Sequence, residues 1–443
     1  MTPQEWCDSQ VTQFTELWRD LDITNDDFIR TTQPRHVKGV QDFMQKLHDN
    51  GYLYKGTYDG YYCTPCETQF TEGDLVDGKC PDCGREVKVI HEENWFFKLS
   101  EFGDKLLAYY DEHPNFIRPQ IRENEIRSFI EGGMHDLSVS RTAFDWGIPL
   151  PFDPEHVTYV WVDALINYLT ALGYGSDDTT LLERFWPANF HFVGKDIIRF
   201  HCVIWPAMLM AAGMECPRHV FAHGFLMAAD GSKMSKSKGN ALYPRDLIER
   251  YGVDAYRYYF LSDVTFGSDA NIGHDRITQV YNADLANTYG NLFSRVSNMV
   301  IKYFDGQVPE GPAEFGLEIA EGLYERYAAC MNDIDFGGAS AHVMELLHRA
   351  NLYVEESAPW NLAKNEETQG ELAFVLYNAL EVCRIAALLL APFMPNTSTE
   401  LWRRLGLEDP CAVDNAAELA LWGGLPAGNE VTKGDALFPR LEK

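Results

Sequence analysis

No stretch of this 443-residue sequence approaches the roughly 20 consecutive apolar residues that a bilayer crossing requires. The nearest, 385–394, is short and broken by Pro392. The opening residues, Met1-Thr2-Pro3-Gln4-Glu5-Trp6-Cys7-Asp8, lack the basic and apolar regions of a secretory signal. A cytoplasmic location is therefore expected, and the ten cysteines read as thiols or metal ligands before disulfides. Basic excess is also missing: 37 Lys and Arg face 66 Asp and Glu, a net charge of −29. That balance argues against a generally basic nucleic-acid binder, but a local basic or aromatic track is still compatible with it. Internal repeats and low-complexity linkers are absent too.

What is present is a globular chain. A hydrophobic fraction of 46% supplies ample core material, and the length suits two to four domains. From Thr12 to about Asn50 the pattern is helical, interrupted by a polar stretch ending at Pro34, and it resumes through Val40, Phe43, Met44 and Leu47. Between Gly51 and about Ile90 aromatic residues alternate with Gly, Asp and Cys, which predicts short strands and turns around a small site. A helix over Trp161–Leu172, a strand over Phe190–Val193, a helix over Ile197–Ala212 and a strand over His219–Met227 then follow in the order of a parallel α/β sheet. Such a sheet binds ligands at the carboxyl ends of its strands, where Gly194-Lys195-Asp196 and His223-Gly224 fall. Beyond Asp275 long helical periods take over. One stripe runs through Tyr281, Leu285, Leu292, Val296, Val300 and Tyr303, and further helices cover Ala339–Glu356 and Glu371–Leu390, which predicts a bundle.

Two features carry specific chemistry. Cys63-x-x-Cys66 and Cys80-x-x-Cys83 are paired thiols thirteen residues apart, a spacing that lets four sulfurs converge on one zinc ion. Four protein ligands leave no open coordination position, so a structural role is expected. The string Asp230-Gly-Ser-Lys-Met-Ser-Lys-Ser-Lys-Gly-Asn240 follows an apolar strand and precedes a helix opening at Pro244. Its small residues permit movement, while Lys233 and Lys236 can bring positive charge to a polyphosphate leaving group. A solvated lysine turn is the bland alternative, and the placement after a strand disfavours it.

Lys233-Met-Ser-Lys-Ser237 resembles the second signature of class I aminoacyl-tRNA synthetases. Thr158-Tyr-Val-Trp-Val-Asp-Ala164, Phe192-Val-Gly-Lys-Asp-Ile197, Arg199-Phe-His-Cys-Val-Ile-Trp-Pro206 and Ala358-Pro-Trp360 are similar, in the same order, to the methionyl-tRNA synthetases of bacterial type. The resemblance covers essentially the whole chain. It implies an α/β fold with a partial Rossmann-like parallel sheet, a zinc-binding connective insertion and an all-α anticodon-binding helix bundle. The corresponding division is 1–45 for a remnant of the first half of the nucleotide-binding domain, 46–150 for the insertion, 151–274 for the second half with the lysine loop, and 275–443 for the bundle.

The implied activity is activation of methionine by ATP, with Mg2+, and transfer to tRNA(Met). Lys233 and Lys236 are the implied catalytic lysines, with Lys236 on the triphosphate. Gly194, Lys195, Asp196, His223 and Gly224 would meet ATP, with Asp196 on the ribose. Trp161, Ala164, Tyr168 and His201 would line the methionine pocket, where aromatic faces suit a polarizable thioether. Asn291, Arg295 and Trp360 would read the anticodon by stacking and edge contacts. Zn2+ would be structural, held by Cys63, Cys66, Cys80 and Cys83.

The other class I signature, His-x-Gly-His, is not found in this sequence. The expectation is that the segment carrying it is missing and that this chain alone is poorly active. No appended dimerising module is recognised, which predicts a monomer. Two alternatives stand beside the ligase: a non-catalytic RNA-binding protein that kept the zinc module and bundle, and a nucleotidyltransferase without a tRNA substrate.

Overall fold

The computed structural model describes residues 1–65, 68–70, 72–81, 83–142, 144–234, 239–310 and 320–442. By packing the chain divides into two compact units: Asn25–His223, and Met1–Thr24 together with Gly224–Lys443.

Helix α1 (Pro3–Asp20) begins at a capping box in which Thr2 and Glu5 satisfy each other's backbone N–H. In the Asn25–His223 unit, α2 (Pro34–Asp49) buries His36, Val40, Phe43, Met44 and Leu47 on one stripe. A methyl at Gly39 would collide with Thr170 Cγ2, so the glycine permits this helix to approach its neighbour closely. Strands β1 (Leu53–Cys63), β2 (Thr68–Phe70) and β3 (Lys88–Phe97) follow. The expected short strands are instead a long antiparallel pair, in register from Leu53↔Phe97 to Tyr62↔Lys88. Tyr54 on β1 stacks on its register partner Phe96 on β3 with ring centroids 5.6 Å apart, a cross-strand contact that supports the pair.

After α3 (Gly103–Glu112), β4 (Ile117–Arg118) and α4 (Gln120–Glu131) come β5 (Leu137–Ser138), β6 (Ser140–Arg141), β7 (Pro149–Leu150) and β8 (Asp153–Thr158). Then α5 (Val160–Thr170), α6 (Thr180–Phe185), β9 (Phe190–Gly194), α7 (Trp205–Ala211) and β10 (His219–His223) complete the unit. Strands β4, β10 and β9 form a parallel sheet in that order, as the α/β alternation predicts. The helix expected over Ile197–Ala212 is not uniform. Residues Phe200–Ile204 form a wide π turn before α7, a geometry that propensity cannot reveal and that occurs often at functional sites.

The Gly224–Lys443 part opens with β11 (Leu226–Ala228), α8 (Pro244–Tyr251), α9 (Val253–Ser262), β12 (Ala270–Ile272), α10 (His274–Val280) and α11 (Asn291–Tyr303). The bundle continues with α12 (Leu323–Asn332), α13 (Phe336–Ser357), α14 (Pro359–Leu362), α15 (Gln369–Leu390), α16 (Pro395–Arg404) and α17 (Ala416–Leu419). The single strand expected over His219–Met227 is two strands in different sheets, β10 and β11. The chain breaks at Gly224, where a methyl would fall on the Ser268 backbone, and Phe225 N–H donates to Asp269 Oδ1 at 2.8 Å.

Helix α15 is buried at every position from Val375 to Leu390. Residues Glu366–Leu390 are long and apolar enough to cross a membrane by length and composition, but 89% of their 18-residue apolar window is buried inside the protein. A helix apolar on every side is what the centre of a bundle demands.

Candidate functional site

Helix α5 turns two faces to two tasks. Val162, Leu165, Ile166 and Leu169 are buried in the core, while Trp161, Ala164 and Tyr168, spaced three and four apart, lie on a half-buried face. The Trp161 ring stacks on Phe200 with centroids 4.2 Å apart. Tyr168 lies 4.0 Å from His191 and 5.7 Å from His201, ring to ring. The π turn carries His201 into this group. Its Nδ1 faces the Ile197 carbonyl at 3.0 Å and must carry the proton, so Nε2 accepts from the Tyr168 hydroxyl at 2.8 Å. Burial lowers the His201 pKa, and burial together with the charge of His201 depresses that of His191 to about 3. Burial raises Tyr168 to about 12. The cluster is therefore a neutral aromatic surface at ordinary pH, suited to an apolar, polarizable side chain.

Four of the five residues expected to meet ATP, Gly194, Lys195, Asp196 and His223, lie at the end of the parallel sheet. Gly194 closes β9 and His223 closes β10, and the two are direct register partners. A methyl at Gly194 would strike Asp196 Oδ1, so the glycine allows the carboxylate to fold back over the strand end. Lys195 and Asp196 occupy a short 3-10 turn there. This is the crevice position at which open parallel sheets bind nucleotides.

His36, Asp163 and His191 were not singled out from sequence. His36 Nε2 contacts Asp163 Oδ1 at 2.6 Å and its Nδ1 contacts Thr170 Oγ1 at 2.8 Å, which ties α2 to both ends of α5. No local pattern marks this pair, because its members lie 127 residues apart.

The cysteine module is a small body of its own. Sulfurs of Cys63, Cys80 and Cys83 all lie within 4.8 Å of one another, with Cys63 and Cys83 3.5 Å apart. Sulfurs at tetrahedral corners around zinc sit about 3.8 Å apart, given Zn–S bonds of about 2.3 Å, so the three thiols fit that ion. Cys66 lies outside the described residues.

In the other unit, β11 pairs in parallel with β12, and a tight turn follows in which Ala228 N–H donates to Ser232 O at 2.9 Å. Lys233 sits with Nζ 5.5 Å from the Phe225 ring centroid. Asn240 Nδ2 donates to Ser232 Oγ at 3.0 Å and to Lys233 O at 3.3 Å, which fastens the two ends of the loop together. Lys236, with Ser235 and Ser237, lies outside the described residues. In the bundle, the Arg295 guanidinium stands 5.9 Å from the Trp360 ring centroid, and Asn291 is exposed one turn earlier on α11. Trp360 reaches that position because α13 ends at Ala358, a left-handed residue with φ 44°, and Pro359 starts the next helix.

A family model described as tRNA synthetases class I (M) matches residues 1–89 and 83–297, and one described as the anticodon binding domain of methionyl tRNA ligase matches 306–443. The chain belongs to the methionyl-tRNA synthetases. A methionine–tRNA ligase of Caldanaerobacter subterraneus is 47% identical across all of this chain, which spans 69% of that relative's length. One from Streptomyces coelicolor is 46% identical, with 86% of its length covered. The structure of Mycobacterium tuberculosis methionyl-tRNA synthetase in complex with methionyl-adenylate superposes with a TM-score of 0.91 at 41% identity, covering 96% of this chain and 85% of that one. Because these methionyl-tRNA synthetases carry the ligase name, the alternative of a non-catalytic RNA-binding protein has no support. In this methionyl-tRNA synthetase Arg295 falls in the first match and Trp360 in the second, so their contact joins segments that the two family models describe separately.

Proposed function

We propose that this methionine–tRNA ligase binds the methionine side chain against Trp161, Ala164, Tyr168 and His201. The observation that carries this reading is the Tyr168–His201 hydrogen bond, which, with the His201 Nδ1 bond to the Ile197 carbonyl, engages the polar atoms of both rings and leaves aromatic faces for the thioether. Gly194, Lys195, Asp196, His223 and Gly224 receive ATP at the strand ends, with Asp196 accepting from ribose hydroxyls. A methionine carboxylate oxygen attacks the α-phosphorus, the bond to the bridging oxygen breaks, and pyrophosphate leaves as methionyl-adenylate forms. Lys233 and Lys236 stabilise the charge gathering on pyrophosphate. The terminal hydroxyl of tRNA then attacks the adenylate carbonyl, and AMP departs. Asn291, Arg295 and Trp360 hold an unstacked anticodon base between a π face and hydrogen-bonding edges.

Zinc held by Cys63, Cys66, Cys80 and Cys83 cross-links the insertion, and Mg2+ accompanies ATP. The enzyme works as a monomer in the cytoplasm.

Comparing two partial reactions tests the assignment. Tyr168→Ala is expected to abolish methionine-dependent ATP–pyrophosphate exchange, whereas Trp360→Ala leaves exchange intact and lowers tRNA aminoacylation at least tenfold. Equal losses in both reactions for Trp360→Ala would remove the anticodon role.

A further inference from the structure

Helices α13 and α15 enclose a half-open cavity of roughly 200 Å³ in the Gly224–Lys443 unit. Its α13 wall presents Leu346, Ala350 and Tyr353, which recur at helical spacing, and its α15 wall presents Asn378, Ala379 and Val382. Trp422, just beyond α17, lies across it. One water needs only about 10–15 Å³ of such space, and an apolar cavity of about 150 Å³ is known to admit a benzene ring.

The cavity walls are mostly apolar, with Arg349 and Glu356 also on the lining, and Asn378 lies among them with 1% of its surface exposed, neither its amide nitrogen nor its amide oxygen making a hydrogen bond. Tyr353 stands close enough for Asn378 and Ser357 to offset part of the burial that raises its hydroxyl pKa, but it does not satisfy the amide. The Trp422 indole N–H is buried and unpartnered as well. Twelve buried side-chain polar atoms lack a partner among the described residues, and three of them gather around this one cavity, a concentration that calls for a guest.

We propose that this groove binds a single nucleobase, held by the Asn378 carboxamide beside the Trp422 indole. A carboxamide offers a donor and an acceptor side by side, the complement of the adjacent acceptor and donor on adenine or cytosine edges. Tyr353 and Trp422 supply aromatic surface for the ring. The charges on the lining, Arg349 and Glu356, oppose each other, so the ring and not a phosphate provides the affinity. The base comes either from an unpaired position of bound tRNA or from a free nucleoside, and both present the same edge. The inference does not depend on which residues read the anticodon.

The test is ligand-observed NMR on the full chain with adenosine, cytidine, guanosine and uridine in turn. At least one nucleoside is expected to show binding that weakens about tenfold or more in Asn378→Leu, the loss of one paired base edge. Adenosine held elsewhere is unaffected by that change and so cancels in the comparison. Asn378→Leu keeps the volume and removes an unpaired buried amide, so it is expected to fold with unchanged or higher thermal stability. Ala379→Phe, which fills the groove from the same helix, is the second variant and should abolish the same signal. Displacement of the nucleoside by tRNA(Met), with weaker tRNA binding in Asn378→Leu, assigns the base to tRNA, and no displacement assigns it to a free nucleoside. Absence of binding by all four nucleosides, or binding equal in wild type and both variants, overturns the proposal and leaves ordered water as the partner of Asn378.

Discussion

The Tyr168 hydroxyl donates to Nε2 of His201 across 2.8 Å, and that one bond fixes the histidine's tautomer because Nδ1 is already committed to the Ile197 carbonyl. Tyr168→Phe removes the donor and leaves a buried acceptor unpaired, a loss of about 1–3 kcal/mol. The KM for methionine should rise roughly five- to a hundredfold, with a smaller change in kcat, when exchange is measured against methionine concentration. An unchanged KM would show that the bond does not support the pocket.

His191 sets the sign of a pH effect. Its pKa falls from 6.5 to about 3 on folding, so between those values the unfolded chain binds a proton that the native chain refuses. Stability therefore rises with pH across that window, by up to about 1.4 kcal/mol per pH unit from this group, and is lost on acidification. His201 is shifted in the same direction. Denaturant melts of His191→Phe from pH 4 to 6.5 should show a flatter, though not flat, dependence. A slope as steep as that of the parent would remove His191 as its cause.

Among the described residues the cysteine module has an apolar core of Cys63, Phe70 and Cys80, with Tyr61, Leu75 and Val87 packed against it. A core this small cannot hold a fold without a cross-link, so metal should provide it. Metal analysis is expected to find one zinc per chain, lost in Cys80→Ser and on treatment with a strong chelator. Backbone amides of β1 and of residues 72–81 should then exchange faster. Full zinc occupancy in Cys80→Ser would exclude Cys80 as a ligand.

Glu381 and Arg384 form an ion pair in the middle of α15 with 0% and 1% of their side chains exposed. Every charge is answered: Glu381 accepts from the N–H groups of Gly423, Gly424 and Leu425, and Arg384 donates to the carbonyls of Leu419 and Leu421. Glu381→Ala strands a buried guanidinium and should destabilise the protein by about 3–5 kcal/mol. The double change Glu381→Ala/Arg384→Met should cost less than the sum of the single ones, as read from denaturant melts, because the pair acts as a unit. Additive losses would argue against that coupling.

The sequence showed clearly what depends on local pattern. The parallel strand ends at Gly194 and His223, the α5 face through Trp161 and Tyr168, and the long helices of the bundle all follow from periods of two or 3.6 residues. Hidden from it were features set by distant contacts. The break at Gly224 depends on the backbone of Ser268, and the π turn at Phe200–Ile204 on packing around His201. The charges of Glu381 and Arg384, which interrupt an apolar helix, are explained only by a segment some 40 residues later. Likewise, the spacing of Asn291 and Arg295 placed them on one face, but only the fold brings Trp360 to Arg295.

The all-round apolar character of α15 bears on how the chain is made. A ribosome working from the N-terminus delivers Gln369–Leu390 before Trp402, whose indole binds the Arg384 carbonyl, and before the 419–425 strap that answers the buried charges. During that interval the nascent chain displays a greasy rod whose Glu381–Arg384 ion pair still lacks its backbone partners at 419–425, attractive to chaperones and to other copies of itself. Release of the final segment is what ends the exposure, so a stop codon placed just after α15 should yield aggregates instead of a shorter enzyme.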